Sequence, residues 1–305
     1  MGTTILYTVL SLSILGVIAA LILFFVAKKF AVVEDPRIDI INEALPSANC
    51  GGCGFAGCRN FAENCVNAET MDGLYCPVGG NEVMNEIAKI LGREASAKEP
   101  RVAVLRCNGT CEARPKTNIY DGASSCAISS ALYSGNTDCQ YGCLGYGDCV
   151  DVCQFGALKM DPFTGLPVVD DAMCTACGNC VKSCPKNLFE LRKRAKKEMK
   201  IYVACRNEEK GGIAKKSCSV ACIGCSKCVK VCPHEAIILN NNLAYIDSDK
   251  CKLCRKCVPE CPTDTIIEVG FPKRKEKIAE TATDMVGNTG TSSVDTIKSE
   301  DNSNN

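Results

Sequence analysis

Residues 222–233 read CIGCSKCVKVCP, and residues 251–262 read CKLCRKCVPECP. Each is a complete C-x2-C-x2-C-x3-C-P run. At that spacing three thiolates wrap one iron–sulfur cubane and the fourth reaches its neighbour. The two ligand sets are therefore expected to be crossed: Cys222, Cys225 and Cys228 with Cys261, and Cys251, Cys254 and Cys257 with Cys232. The proline after each last cysteine ends the local turn, since its φ is fixed and it lacks an N–H.

Between the two runs, IILNNNLAYID (residues 237–247) has the apolar–turn–apolar pattern of a hairpin, with the turn chemistry supplied by Asn. The plan occurs twice, over residues 139–191 and again over residues 222–269, which predicts a duplicated module. In the first copy Cys174, Cys177, Cys180 and Cys184 (CTACGNCVKSCP) fit the run in full, and LKMDPFTGLPVVD takes the hairpin's place. Their partner group is irregular. Cys139, Cys143, Cys149 and Cys153 (CQYGCLGYGDCVDVCQ) run C-x3-C-x5-C-x3-C, with Gln154 in place of proline. By analogy, Cys139, Cys143 and Cys149 are expected to pair with Cys184, and Cys153 with Cys174, Cys177 and Cys180. A loop so rich in glycine is expected to turn backbone N–H groups toward sulfur and give its cluster a different potential.

Upstream, Cys50, Cys53, Cys58 and Cys76 run C-x2-C-x4-C-x17-C. Glycines at 51, 52, 54 and 57 let this chain fold tightly about a centre. The spacing alone suits a [4Fe–4S] cluster or zinc. Residues 35–45 and 81–95 read as helices flanking this group, and Val102–Leu105 as a short strand. Six cysteines remain: Cys65, Cys107, Cys111, Cys126, Cys205 and Cys218. A further cluster would need an odd ligand set, so they are expected to be buried structural thiols.

The totals agree with a metal-built molecule. The chain has 305 residues, 26 cysteines, one histidine, no tryptophan and no net charge. Of the 46% counted as hydrophobic, cysteine is a large part; without it roughly 37% is apolar, below a globular domain's usual share. Small domains with so little aliphatic core need staples. Tight grouping of the thiols argues against a disulfide framework, which spreads its cysteines. Charge balance gives no reason to expect nucleic acid. There is no G-x-x-x-x-G-K-[ST] loop and no G-x-G-x-x-G turn, so no nucleotide is expected to bind directly. The lone His234, in CPHEAI, reads as a turn residue, leaving acid–base catalysis without candidates.

Ile5–Ala27 (ILYTVLSLSILGVIAALILFFVA) carries no charge over 23 residues. As a helix it spans roughly 34 Å, enough to cross a bilayer. No basic residue precedes it, unlike a signal peptide. Lys28 and Lys29 follow it directly, which predicts that the remainder lies on the cytoplasmic side of the cell membrane.

The order of an apolar span, then ALPSANCGGCGFAGC…CPVGG, then ferredoxin-type groups resembles the B subunit of the Rnf complex. That complex is the ion-translocating ferredoxin:NAD oxidoreductase of bacterial membranes. The resemblance covers roughly residues 1–270. It implies that Cys50, Cys53, Cys58 and Cys76 bind a [4Fe–4S] cluster. It also implies a role as electron-transfer subunit, with soluble reduced ferredoxin as donor and the other membrane subunits as partners. The second ferredoxin pair and the extra cysteines go beyond the family's short form.

The expected fold is α+β, built from small iron–sulfur-stabilised domains. A transmembrane anchor (1–29) precedes a [4Fe–4S] domain (33–96), two ferredoxin-like modules (101–192 and 200–270) and a polar tail (271–305), with about five clusters in all. Rival readings are a polyferredoxin of another membrane reductase or hydrogenase, and a zinc-binding membrane adaptor.

Overall fold

The computed structural model describes residues 2–29, 34–132 and 135–272. Of the expected tail, residues 273–305 lie outside the described part. Helix α1 (Gly2–Lys29) follows from the uninterrupted apolar run and is long and apolar enough to cross a membrane. Its Leu, Ile, Val and Phe side chains are uncovered all round. A helix apolar on every face, with no protein over it, matches lipid as its surroundings.

Helix α2 (Pro36–Ala44) starts where the Asp35 carboxylate accepts from the Arg37 N–H at 2.9 Å, with Pro36 pre-set for the first turn. Helix α3 (Cys58–Asn67) and α4 (Gly80–Leu91) complete a three-helix unit around Ile38, Ile41, Phe61, Met84 and Ile87. The last helix ends short of residue 95. Gly92 takes a left-handed cap (φ 65°), and the Arg93 N–H turns back to the Ala88 carbonyl at 2.8 Å.

Two modules of one design follow. The first comprises β1 (Arg101–Leu105), α5 (Cys126–Leu132), α6 (Asp148–Asp151), β2 (Leu158–Met160), β3 (Pro167–Val169), α7 (Asn179–Ser183) and β4 (Phe189–Lys193). Its outer strands pair antiparallel with Leu105 opposite Phe189, and its inner hairpin pairs Leu158 with Val169. The second comprises β5 (Lys200–Val203), α8 (Gly211–Ser217), α9 (Lys227–Val231), β6 (Ile237–Asn240), β7 (Leu243–Ile246) and β8 (Ile266–Val269). Here Val203 faces Ile266 and Ile237 faces Ile246. The expected strand–turn–strand links are both present. Asn241 and Asn242 form a two-residue turn with φ of 45° and 62°, the sign pattern a tight hairpin demands at both positions.

The basic stretch between the modules (193–200) reads in sequence as a helical linker. In the structure it is a strand end, a 3₁₀ turn (Lys196–Glu198) and a strand start. β4 pairs through Lys193 and β5 begins pairing at Lys200, so too few residues remain for a helix.

The modules meet along Val104, Tyr202 and Ala204, with Ile267 and Val269 against them. Arg106 and Lys200, both buried there, are matched. Arg106 donates to the carbonyls of Val203 (3.3 Å) and Cys205 (3.2 Å) and lies over the Tyr245 ring. Lys200 pairs with Asp171, the two side chains 10% and 7% exposed.

Candidate metal centres

In the second module Cys222, Cys225, Cys228 and Cys261 line one enclosed apolar cavity, floored by Val203, Ala244 and Ile266 and edged by Pro262. Burial pushes the Cys228 thiol up to about 11, and the neighbouring Cys222, Cys225 and Cys261 add to it. Cys261 goes the other way. Burial opposes ionisation, but backbone N–H groups of Thr263, Ile266 and Thr265 bring it below the ordinary thiol value. Beside this set, Cys257 is pushed up to about 12 by burial, with Cys251, Cys228 and Cys254 around it. Cys251 is raised by burial and has Cys254 and Cys232 as neighbours. The four expected members of each crossed set thus lie together.

In the first module Cys180 is pushed up to about 12 by burial; Cys174, Cys177, Cys149 and Cys153 surround it. The other set differs from the sequence expectation. The cavity matching that of the second module is lined by Cys126, Cys143, Cys149 and Cys184, with Gly145, Gly147 and Pro185. The two cavities are of similar size. Cys139 does not line it; Cys126 takes that place. The reason is local. The Asp148 carboxylate accepts the N–H groups of Cys126 (2.8 Å) and Ala127 (3.0 Å) and the Ser125 hydroxyl (2.9 Å), capping α5 so that its first residue faces the cavity. Partial burial disfavours that carboxylate's charge, yet these hydrogen bonds hold it below the usual Asp range. The glycine-rich loop turns its N–H groups to sulfur as its composition implies. Cys126, raised by burial, receives the N–H groups of Asp148, Tyr146 and Gly147. Cys143, also raised by burial, receives that of Gly145.

Near the N-terminal helices, burial raises Cys76; the Gly79 N–H donates to its sulfur at 3.4 Å, and Cys53 and Cys58 lie beside it. The Asn49 side chain accepts the Cys58 N–H at 2.8 Å and fixes the start of α3. Cys50 opens the same loop and faces Cys177, whose raised thiol reflects burial first and Cys50 among its neighbours. This loop sits against the first module so closely that a methyl group at Gly52 would lie 2.8 Å from the Cys177 carbonyl oxygen. Lys182 donates to the Gly51 carbonyl across the same contact at 3.3 Å.

These sets suit [4Fe–4S] clusters. Each brings four thiols together, the donor set a cubane takes, and among the described residues no group of three or more His, Cys, Asp or Glu side chains is placed to hold a single metal ion. Burial disfavours bare thiolates, and iron supplies the positive charge that stabilises them. Of the six cysteines outside the sequence motifs, Cys65 is fully buried in the three-helix core and pushed up to about 12 by burial, whereas Cys111 is exposed. His234 lies on an exposed turn.

Comparison with known proteins agrees with this chemistry. Residues 138–188 and 221–265 match the family described as 4Fe-4S dicluster domain, and 173–237 match a second family of that description. Residues 45–73 match the family "Putative Fe-S cluster". The chain is 45% identical over 241 residues to the B subunit of the Na(+)-translocating ferredoxin:NAD(+) oxidoreductase complex of Acetobacterium woodii, covering 79% of this chain and 71% of that one. It is 41% identical to the proton-translocating counterpart of Clostridium ljungdahlii over 81% of this chain and 86% of that one. It is 40% identical to the B subunit of the ion-translocating oxidoreductase complex of Methanosarcina acetivorans over 82% and 93%.

Proposed function

The chain belongs to the family of B subunits of ion-translocating ferredoxin:NAD(+) oxidoreductase complexes, and on that premise we propose that it draws electrons from soluble reduced ferredoxin and delivers them to membrane subunits of its complex. It is an electron-transfer subunit with several [4Fe–4S] centres. When bound, each centre takes up and releases one electron; the chain's own task is spacing, insulation and charge.

The ligand sets in this reading are Cys50, Cys53, Cys58 and Cys76; Cys126, Cys143, Cys149 and Cys184; Cys153, Cys174, Cys177 and Cys180; Cys222, Cys225, Cys228 and Cys261; and Cys232, Cys251, Cys254 and Cys257. The observation that carries it is the adjacency of these sets. Cys50 faces Cys177, Cys180 faces Cys149, and Cys257 faces Cys228. Within each half of the molecule, neighbouring sets come near one another.

The donor end is the second module, where Cys225 and Cys254 are exposed and Lys250, Lys252 and Lys256 rim the surface. A positive rim favours encounter with an acidic donor. The membrane end is the N-terminal set, with α1 as anchor and Lys28 and Lys29 keeping the modules on the cytoplasmic side. In this reading the overall reaction belongs to the complex.

Anaerobic stopped-flow mixing with reduced ferredoxin tests it. Visible bleaching is expected at a rate that falls as ionic strength rises. Bleaching by dithionite but not by ferredoxin would overturn the donor assignment.

A further inference from the structure

Four thiols that belong to none of the five sets converge where the two modules meet. Cys107 lies two residues beyond β1 and Cys205 two residues beyond β5, so they hold equivalent places in the two copies. The Asn108 N–H donates to the Ala204 carbonyl at 3.0 Å and ties these ends together. Cys139 comes from the first module, where it is absent from the cavity that Cys126 completes. Cys218 ends α8 in the second.

Several contacts bring the four into one place. Asn207 bridges two of them: its backbone N–H donates to Cys205 sulfur at 3.4 Å, and its side-chain amide to Cys139 sulfur at 3.8 Å. A methyl group at Gly109 would lie 3.4 Å from Cys218 sulfur. Cys107 is a charge neighbour of Cys139, Cys205 and Cys218 alike, and Cys139 of Cys218. Cys139, Cys205 and Cys218 are buried.

Arg114 lies beside these thiols. It is 9% exposed, and a methyl group at Gly142 would strike its guanidinium at 2.5 Å, so glycine there is needed for it to pass. Its Nη1 donates to Thr137 at 2.9 Å and its Nη2 to the Cys143 carbonyl. Its Nε is buried without any hydrogen-bond partner and lies 3.2 Å from the same Gly109 methyl position that Cys218 sulfur approaches. A buried cation with an idle donor among these thiols calls for an anion. A cubane held by four thiolates carries net negative charge and acceptor sulfurs.

We propose that Cys107, Cys139, Cys205 and Cys218 hold a further [4Fe–4S] cluster shared by the two modules, with Arg114 as the buried cation beside it. Each thiol gives its proton to solvent as its sulfur bonds iron. Every cysteine except Cys65 and Cys111 then has a ligand role. The site also supplies the missing link between the halves of the molecule: Cys107 neighbours Cys143 on one side, and Cys205 neighbours Cys222 on the other. The proposal rests on the electron-relay reading above, but its test separates the two.

The test is iron and acid-labile sulfide per anaerobically purified full-length chain, quantified with Mössbauer spectra. About 24 irons are expected where five sets alone give about 20. The variant Cys205→Ala/Cys218→Ala should lose about four irons and one reducible component, while Cys65→Ala and Cys111→Ala should lose none. Arg114→Gln should keep its iron and lower one midpoint potential, because a cation that favours the reduced, more negative cluster is gone. A wild-type count near 20 with a bleachable chromophore would sink the shared site and leave the relay standing, whether or not the variants fold. A count near 20 accompanied by one zinc would do the same.

Discussion

The two modules share one backbone plan and differ in how they complete one ligand set. In the second, Cys222, Cys225, Cys228 and Cys261 sit at the spacing of the run, and a chain segment of seven residues supplies three of them. In the first, the matching cavity draws Cys126 from a separate helix, held by Asp148 of the very loop that carries Cys143 and Cys149. The loop is opened by glycine and extra residues, and Cys139 stands away from it at the module boundary. A local motif needs only spacing to form its site, whereas the irregular one needs a helix cap and a tertiary contact.

The largest effect should separate these two designs. Cys126→Ala is expected to remove about four irons and leave the first module open to limited proteolysis, because metal binding and folding are one event in such small domains. Cys139→Ala should leave the Cys126 cavity filled. Equal loss of the Cys126 set from both variants would restore the regular assignment, with Cys139 as its ligand.

Next comes the boundary itself. Asp171→Ala leaves Lys200 charged and unpaired within the module contact and should cost about 3–5 kcal/mol in denaturant unfolding. Replacing both residues by apolar ones of similar volume should recover most of it.

The first module alone bears the N-terminal loop, and Gly52→Ala tests that asymmetry. The added methyl meets the Cys177 backbone, so a cost of about 1–3 kcal/mol is expected. Iron content should hold, while reoxidation of the N-terminal centre by the remaining centres slows in rapid-freeze EPR. Smallest is Asp148→Ala, which removes the cap of α5 and should cost about 1 kcal/mol in thermal unfolding.

The sequence displays most of this molecule because thiol spacing is short-range information. The regular runs, both hairpins and the apolar helix depend on neighbours within a dozen or so residues. Cys126 is not legible for the opposite reason. It stands outside every regular run, and a contact to Asp148 made in the fold holds it at the cavity. One signal does exist: five regular sites would leave six cysteines idle, and five of those six precede the repeats, three before the first and two before the second. Linker 193–200 misleads because its helix-forming lysines say nothing of the strand pairing that claims both ends.

The most direct trial of thiols grouped to carry iron and sulfide is made on the intact chain, purified without air and examined by Mössbauer and visible spectroscopy before and after dithionite. The account predicts iron and sulfide in equal amounts, at about 20 or more of each per chain, with a brown absorption that dithionite bleaches. A colourless chain carrying zinc on the same cysteines would contradict it.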